Sequence, residues 1–277
     1  MLKRVLQNIF RRETVAPGFV QPRFRLFNKM YREPPYDDPA RLEALAGAVN
    51  ALGDQLVPNQ PDSQAFLADE LLAWSRVLGF LREPRFVAAC APYAADAVIG
   101  ARIWRVYTLC WAADSCKGLD GDYVDIGCYD GATVEIMARY TGFTALAKTW
   151  FLYDLFENPP EESRKQGHGP QLHAAVEARV RALGRFRVIR GEVPGSFAQG
   201  LPERIAFAQI DLNAGAPEMA CLEHIHGRMV PGGIIVLDDY GFARYRDSHE
   251  AEKRFFAERG DTVLELPTGQ GLFVKRR

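Results

Sequence analysis

Tyr123-Val124-Asp125-Ile126-Gly127-Cys128-Tyr129-Asp130-Gly131 decides the reading of this chain. Four residues of strand character run into a glycine turn, and a helical pattern opens at Ala132-Thr133-Val134. Gly127 and Gly131 let backbone approach a ligand where a Cβ would stand in the way. An acid, Asp125, precedes the glycines, and Tyr129 sits between them. The stretch has no Gly-Lys-Ser/Thr and no third glycine in dinucleotide spacing, so it is not a phosphate cradle. An acidic turn repels a pyrophosphate. It suits a ligand with ribose hydroxyls and a positive centre, a description met by S-adenosylmethionine. The plainer alternative is a tight strand-to-helix turn with no ligand.

Outward from that turn, the chain alternates from residue 122 onward. Apolar runs of strand length at 123–127, 150–155, 185–190, 205–212 and 233–238 are separated by helical patterns at 132–141, 170–183 and 217–229. Such alternation predicts βαβ units and a parallel sheet. A helix at 248–259 and strands at 262–266 and 272–275, joined through Pro267-Thr268-Gly269-Gln270-Gly271, predict a closing antiparallel pair. The expected fold is α/β, with parallel strands and a terminal antiparallel strand.

The pattern before residue 118 is different and predicts a helical N-terminal extension, 1–118, ahead of a ligand-binding domain, 119–277. Leu2, Val5, Leu6 and Ile9 fall on one helical stripe among Lys3, Arg4, Arg11 and Arg12. This basic amphipathic segment can touch an anionic surface; packing on its own protein or on a second copy of the chain is the reading preferred, with a homo-oligomer through these helices. Asp38-Pro39 is a helix start. Further helices are expected from 62 to 81, 85 to 99 and 101 to 116.

Of the 277 residues, 48% are apolar and 25% charged, which supports a globular core. The net charge of −1 carries no global signature for nucleic acid. The charge is uneven: residues 1–33 hold eight Lys/Arg against Glu13 and Glu33. Five scattered cysteines without a CxxC pair argue against a zinc site or disulfide framework and fit a reducing cytoplasm. No apolar run reaches membrane-spanning length, and the first residues lack a signal-peptide pattern.

The residues that carry chemistry fall at strand ends, where open α/β sheets bind ligands. Asp154 ends the second strand, and a carboxylate there accepts ribose hydroxyls; the alternative is a loop or capping acid. Glu192, after the third strand, is either an adenosine contact or a surface acid. The fourth strand ends Gln209-Ile210-Asp211-Leu212-Asn213 and the fifth Asp238-Asp239-Tyr240-Gly241. Neighbouring strands lie about 5 Å apart, so Asp211 faces the Asp238-Asp239 pair. Crowded carboxylates need a cation or protons. An oxygen-only set selects a hard ion such as Mg²⁺, which would bind a substrate hydroxyl; in the other reading one Asp caps a helix and another pairs with Arg244 or Arg246. Loop 156–170 is either a lid or a solvated surface loop; its His168 has the chemistry of a general base but reads as a plain loop histidine, and neither it nor His224, His226 or His249 is assigned to catalysis.

Several stretches together resemble the macrocin O-methyltransferase family of the TylF type, a family of class I methyltransferases. They are Arg102-Ile103-Trp104 with Tyr107, Val124 to Gly127, Tyr153 to Glu157, Gly191 to Phe197, Pro231 to Gly241 and Gly269 to Lys275. They cover about residues 100–277, and Asp-Asp-Tyr-Gly after a Pro-Gly-Gly strand is the most specific piece. The resemblance implies S-adenosylmethionine as methyl donor, Mg²⁺ on Asp211, Asp238 and Asp239, and a sugar or other small-molecule hydroxyl as acceptor. Asp211 is then the candidate base, and Asp125, Gly127, Tyr129, Gly131, Asp154 and Glu192 the donor site. The chain departs from the family pattern Asp-x-Asp-Leu-Tyr at Gln209 and Asn213, and its glycine turn begins with Asp125 where the family commonly has Glu; those departures bear on the acceptor more than on the donor. The competing readings are a methyltransferase without a metal, a non-catalytic adenosyl-ligand binder and, more distantly, a nicotinamide enzyme.

Overall fold

The turn after Ile126 lies at the middle of a seven-stranded sheet. The computed structural model describes residues 64–69, 71–157 and 168–277. The chain divides into two compact units, Met1–Tyr107 and Thr108–Arg277.

In the second unit, β3 (Asp122–Ile126), β4 (Thr149–Asp154), β5 (Arg185–Arg190), β6 (Ile205–Ile210) and β7 (Met229–Leu237) are parallel, and β8 (Leu264–Glu265) and β9 (Gly271–Val274) complete the sheet. The strand order is β5-β4-β3-β6-β7-β9-β8. The chain starts at the centre with β3, moves outward to β5, then returns to β6 on the other side of β3. That reversal opens a crevice at the carboxyl ends of β3 and β6. β6 is buried at all six positions, as a central parallel strand covered on both faces should be. Its one polar residue, Gln209, is only 4% exposed and pairs in register with Asp125.

The closing antiparallel pair forms, but its placement differs from a simple terminal strand. β9 pairs antiparallel with β7 on one side and with β8 on the other. Because β9 runs against β7, the register Leu237↔Gly271 sets the beginning of β9 beside the carboxyl end of β7. The intervening helices are α4 (Ala132–Thr141), α5 (Leu172–Val180), α6 (Gly215–Ile225) and α7 (Arg246–Glu258). Gly131 and Gly142, at φ of 73° and 66°, bracket α4 in left-handed conformations that exact little strain only from glycine.

At the amino ends of the strands, Tyr123, Phe143, Trp150, Phe186 and Phe207 pack ring against ring. The Tyr123 hydroxyl is satisfied by the Ala113 carbonyl at 2.6 Å. That end is an apolar plug, while the carboxyl end carries the acids.

In the first unit, the helix expected over 62–81 is replaced by a hairpin, β1 (Gln64–Ala68) with β2 (Leu71–Arg76). Asp69 sits at φ 51°, a left-handed turn conformation that Asp tolerates better than most residues, and its carboxylate lies 3.3 Å from Arg105. Apolar spacing alone did not reveal that turn. The expected helical stretch 85–99 is α1 (Pro84–Cys90) and α2 (Ala97–Ala101), capped by the Glu83 and Asp96 carboxylates. The next, α3 (Ile103–Ser115), begins in the first unit and ends in the second. Trp104 and Tyr107 belong to an aromatic cluster with Phe66, Phe80 and Phe86. The basic segment at 1–12 and the helix starting at Asp38-Pro39 lie outside the described residues, as do residues 158–167 of the loop after β4. Among the described residues no helix is long and apolar enough to cross a membrane.

Candidate active site

The β3 turn is held by its backbone. The Gly127 and Cys128 N–H groups both donate to the Tyr153 carbonyl, at 2.8 and 3.3 Å, and the Asp211 N–H donates to the Ile126 carbonyl at 2.8 Å. Gly127 has φ 90°, and a Cβ there would lie 1.9 Å from the Asp211 carbonyl oxygen. The glycine is required because the turn closes directly onto the end of β6. Tyr129 follows at φ 47° and donates its N–H to Asp154 Oδ2 at 2.8 Å. Asp154 Oδ1 accepts the Phe156 N–H at 2.9 Å, and His168 Nε2 stands 3.5 Å from the same oxygen. The His168 and Tyr129 rings are 5.1 Å apart. Thus Asp125, Gly127, Tyr129, Gly131 and Asp154 occupy one strand edge, with Asp154 fixed in orientation by two backbone donors.

Asp125 is 1% exposed, and among the described residues neither of its carboxylate oxygens has a hydrogen-bond partner. Its carboxyl is pushed well above the usual range, first by burial and then by the charges of Asp238 and Asp154. An ionised carboxylate left unpaired at such depth costs several kcal/mol. A ligand bearing a positive centre would relieve that cost, so the residues present fit a sulfonium donor. Burial, with the neighbouring acids, also pushes the Cys128 thiol well up, which keeps it an unreactive thiol.

The ends of β6 and β7 are built from side chains. Asp211 is half-buried, and its Oδ1 accepts the Asn213 amide at 2.9 Å. Asn213 is held at φ 56°, and its own amide oxygen accepts the Tyr245 hydroxyl. The Tyr245 phenol is pushed up to about 12, first by burial and then by Asp239 and Asp211, despite Arg244. Asp238 is 3% exposed, and its Oδ1 accepts the Gln270 amide at 3.0 Å. The Thr268 hydroxyl donates to Gln270 Oε1, also at 3.0 Å. Behind Asp239, burial and the charges of Glu218 and Asp239 push Glu252 up to about 8.

The chain as a whole matches known proteins. Residues 70–262 match the Macrocin-O-methyltransferase (TylF) family. The chain belongs to the TylF family. It is an O-methyltransferase whose methyl donor is S-adenosylmethionine. It is 27% identical over 213 residues to the 8-demethyl-8-(2,3-dimethoxy-alpha-L-rhamnosyl)-tetracenomycin-C 4'-O-methyltransferase of Streptomyces olivaceus, covering 69% of this chain and 79% of that one. Identity to the mycinamicin III 3''-O-methyltransferase of Micromonospora griseorubida is 25% over 218 residues, 71% of this chain and 85% of the relative. The calicheamicin methyltransferase CalS11 has the same fold, with a TM-score of 0.53 at 15% identity over 86% of this chain and 94% of its own.

Against the TylF pattern, the departures now have places. Asp125, for the usual Glu, is buried at the end of β3. Gln209 lies inside the sheet beside it, its Oε1 without a hydrogen-bond partner among the described residues. Asn213 links Asp211 to Tyr245. Glu192 is exposed after β5, and its carbonyl accepts the Ser196 N–H at 2.8 Å. Asp211, Asp238 and Asp239 end adjacent strands, yet among the described residues no three acidic, histidine or cysteine side chains converge as a metal-binding group. Sequence reading set His168 aside as a plain loop histidine, whereas it reaches Asp154 and Tyr129, and it overlooked Gln270. The signal for Gln270 was its position between two glycines in a closing turn; its partner depends on the antiparallel register. The other histidines stand outside the donor turn: His226 pairs with Asp261 at 2.9 Å, and His249 contacts the Tyr240 carbonyl at 2.9 Å.

Proposed function

We propose that this TylF-family enzyme methylates a hydroxyl on a sugar or glycosylated small molecule, with Asp211 as the base. The observation that carries the reading is the closure of the donor turn onto Asp211. Gly127 and the Asp211 backbone are in contact, so the acid at the end of β6 adjoins the donor site without an intervening residue. The tetracenomycin relative is named for methylation of a rhamnosyl-bearing scaffold, which supports the acceptor class.

S-adenosylmethionine supplies, when bound, a methyl group open to in-line displacement. Asp154 is oriented to accept ribose hydroxyls, because the Tyr129 and Phe156 N–H groups fix its plane. Asp125 offers a negative charge to the positive part of the donor. Glu192 is assigned to the adenosine edge from its place after β5. Asp211 accepts the acceptor's hydroxyl proton. The Asn213 amide donates to Asp211 and so holds the carboxylate in one orientation. General-base catalysis of this kind contributes about 10²–10⁴-fold.

Mg²⁺ on Asp211, Asp238 and Asp239 is the finer expectation. Among the described residues no three such side chains are already gathered around one point. Asp238 and Asp211 each accept an amide on Oδ1, and the three carboxylates are the oxygen donors that a hard cation takes. No step is drawn through the ion. Excess EDTA is expected to abolish turnover and added Mg²⁺ to restore it; full activity in excess EDTA would overturn the ion.

The acceptor class is tested by release of adenosylhomocysteine with a panel of nucleotide-linked and scaffold-linked deoxyhexoses, and with catechols as the contrasting hydroxyl class. Turnover on a sugar and not on a catechol is expected. Adenosylhomocysteine binding without turnover on any sugar would overturn the assignment.

A further inference from the structure

We propose that Gln270 is a positioning residue for Asp238, supplied to the acceptor side of the site by the antiparallel strand β9. The inference rests on the proposed function and adds to it that Asp238, whose N–H donates to the Ile210 carbonyl next to Asp211, stands on the acceptor side. A parallel strand brings its last residues to the binding edge. β9 runs the other way, so it brings its first residues and the turn before them. Gln270 immediately precedes Gly271, which pairs with Leu237, and this puts its side chain opposite Asp238.

The turn is shaped for that placement. A Cβ on Gly269, at φ 81°, would lie 2.5 Å from the Phe242 ring, and one on Gly271 would lie 2.6 Å from the Tyr240 ring. The Gly241 N–H donates to the Gly269 carbonyl at 2.7 Å and ties the turn to the segment after β7. Both flanking positions thus need glycine for the turn to sit this close, and Gln270, fully buried, is what the closeness delivers.

The amide has one orientation. The hydroxyl of Thr268 donates to Oε1, so Nε2 is the end that meets Asp238. A neutral donor restrains the carboxylate without cancelling its charge, which Lys or Arg in the same place would do. Burying Gln270 with no acidic partner would also leave its amide hydrogens unsatisfied. The three side chains Thr268, Gln270 and Asp238 therefore form one directed chain through the interior.

The test compares four variants of the full chain on the sugar acceptor of the panel. Calorimetry with adenosylhomocysteine and thermal unfolding serve as controls for the donor half and for folding. Gln270→Leu keeps the volume and deletes the donor; kcat is expected to fall at least about tenfold, with adenosylhomocysteine affinity kept within about twofold. Thr268→Val frees the amide to flip and is expected to cost about threefold in kcat. Gln270→Glu separates positioning from packing. Its carboxyl donates to Asp238 only when protonated, so turnover relative to the native enzyme should recover as pH falls. Gln270→Leu with kcat within about twofold of the native enzyme overturns the proposal. So does a loss of turnover in Gln270→Glu that pH does not change. If Gln270→Leu fails to fold, Thr268→Val and Gln270→Glu carry the same decision. Asp238→Asn with native turnover would instead overturn the underlying reading of Asp238, which leaves the two failures distinguishable.

Discussion

The two halves of the binding edge are built from different materials. On the β3–β4 side the donor site is mostly main chain: glycine conformations, N–H groups on the Tyr153 carbonyl, and N–H groups on Asp154. On the β6–β7–β9 side it is mostly side chains, with the exposed Asn213 on Asp211, and, buried, Gln270 on Asp238 and Glu218 and Glu252 behind Asp239. Main-chain recognition suits a ligand that never changes. Side-chain networks can be altered one residue at a time, which suits acceptor choice. Two of the three departures from the family pattern, Gln209 and Asn213, lie on the side-chain half, and the third, Asp125 for the usual Glu, keeps the carboxylate in the donor turn.

The largest expected effect tests the seam between the halves. Gly127→Ala would force a methyl group to 1.9 Å from the Asp211 carbonyl oxygen at a left-handed φ. We expect adenosylhomocysteine binding to be lost, at least about 100-fold by calorimetry, since the turn must open. Retained affinity would show that the two halves are not locked together.

Asp211→Asn and Asp154→Asn then divide the halves. Asp211→Asn is expected to lower kcat by about 10³ with donor affinity unchanged. Asp154→Asn is expected to raise the KM for the donor by about 10–50-fold with a smaller change in kcat, because a charge-assisted acceptor of ribose hydroxyls is weakened. If both variants lost kcat and donor affinity together, the division into two halves would fail.

A smaller effect concerns stability. Glu252 is raised from 4.5 to about 8, first by burial. The folded protein therefore holds a proton that the unfolded chain releases, and this stabilisation is complete below pH 4.5 and is lost as pH rises towards 8. Glu252→Gln should flatten the fall in thermal stability across that window and raise the midpoint at pH 8 by roughly 5 °C. An unchanged pH dependence would place the proton elsewhere.

The donor half was legible in the sequence because its determinants are local. Asp125 to Gly131 is one contiguous turn, and Asp154 follows one helix later. The acceptor half was only partly legible. Asp211, Asp238 and Asp239 showed as strand-end acids, but their partners come from sequence-distant segments: Tyr245 from the approach to α7, and Gln270 from the turn before β9. The hairpin at 64–76 was missed for a related reason. Leu67, Leu71, Trp74 and Leu78 fit a helical stripe, and the left-handed Asp69 breaks it.

The interleaving of β9 between β7 and β8 also bears on how the chain is made. Until β9 emerges from the ribosome, Ile234-Ile235-Val236-Leu237 has a partner on the β6 side alone. The other flank of that apolar strand stays open through the synthesis of α7 and β8, and open flanks of this kind recruit other chains. Growth of the nascent protein thus has a hazardous interval that ends only when segment 271–274 docks, and a product stopped short of it would keep the donor turn while remaining prone to aggregate.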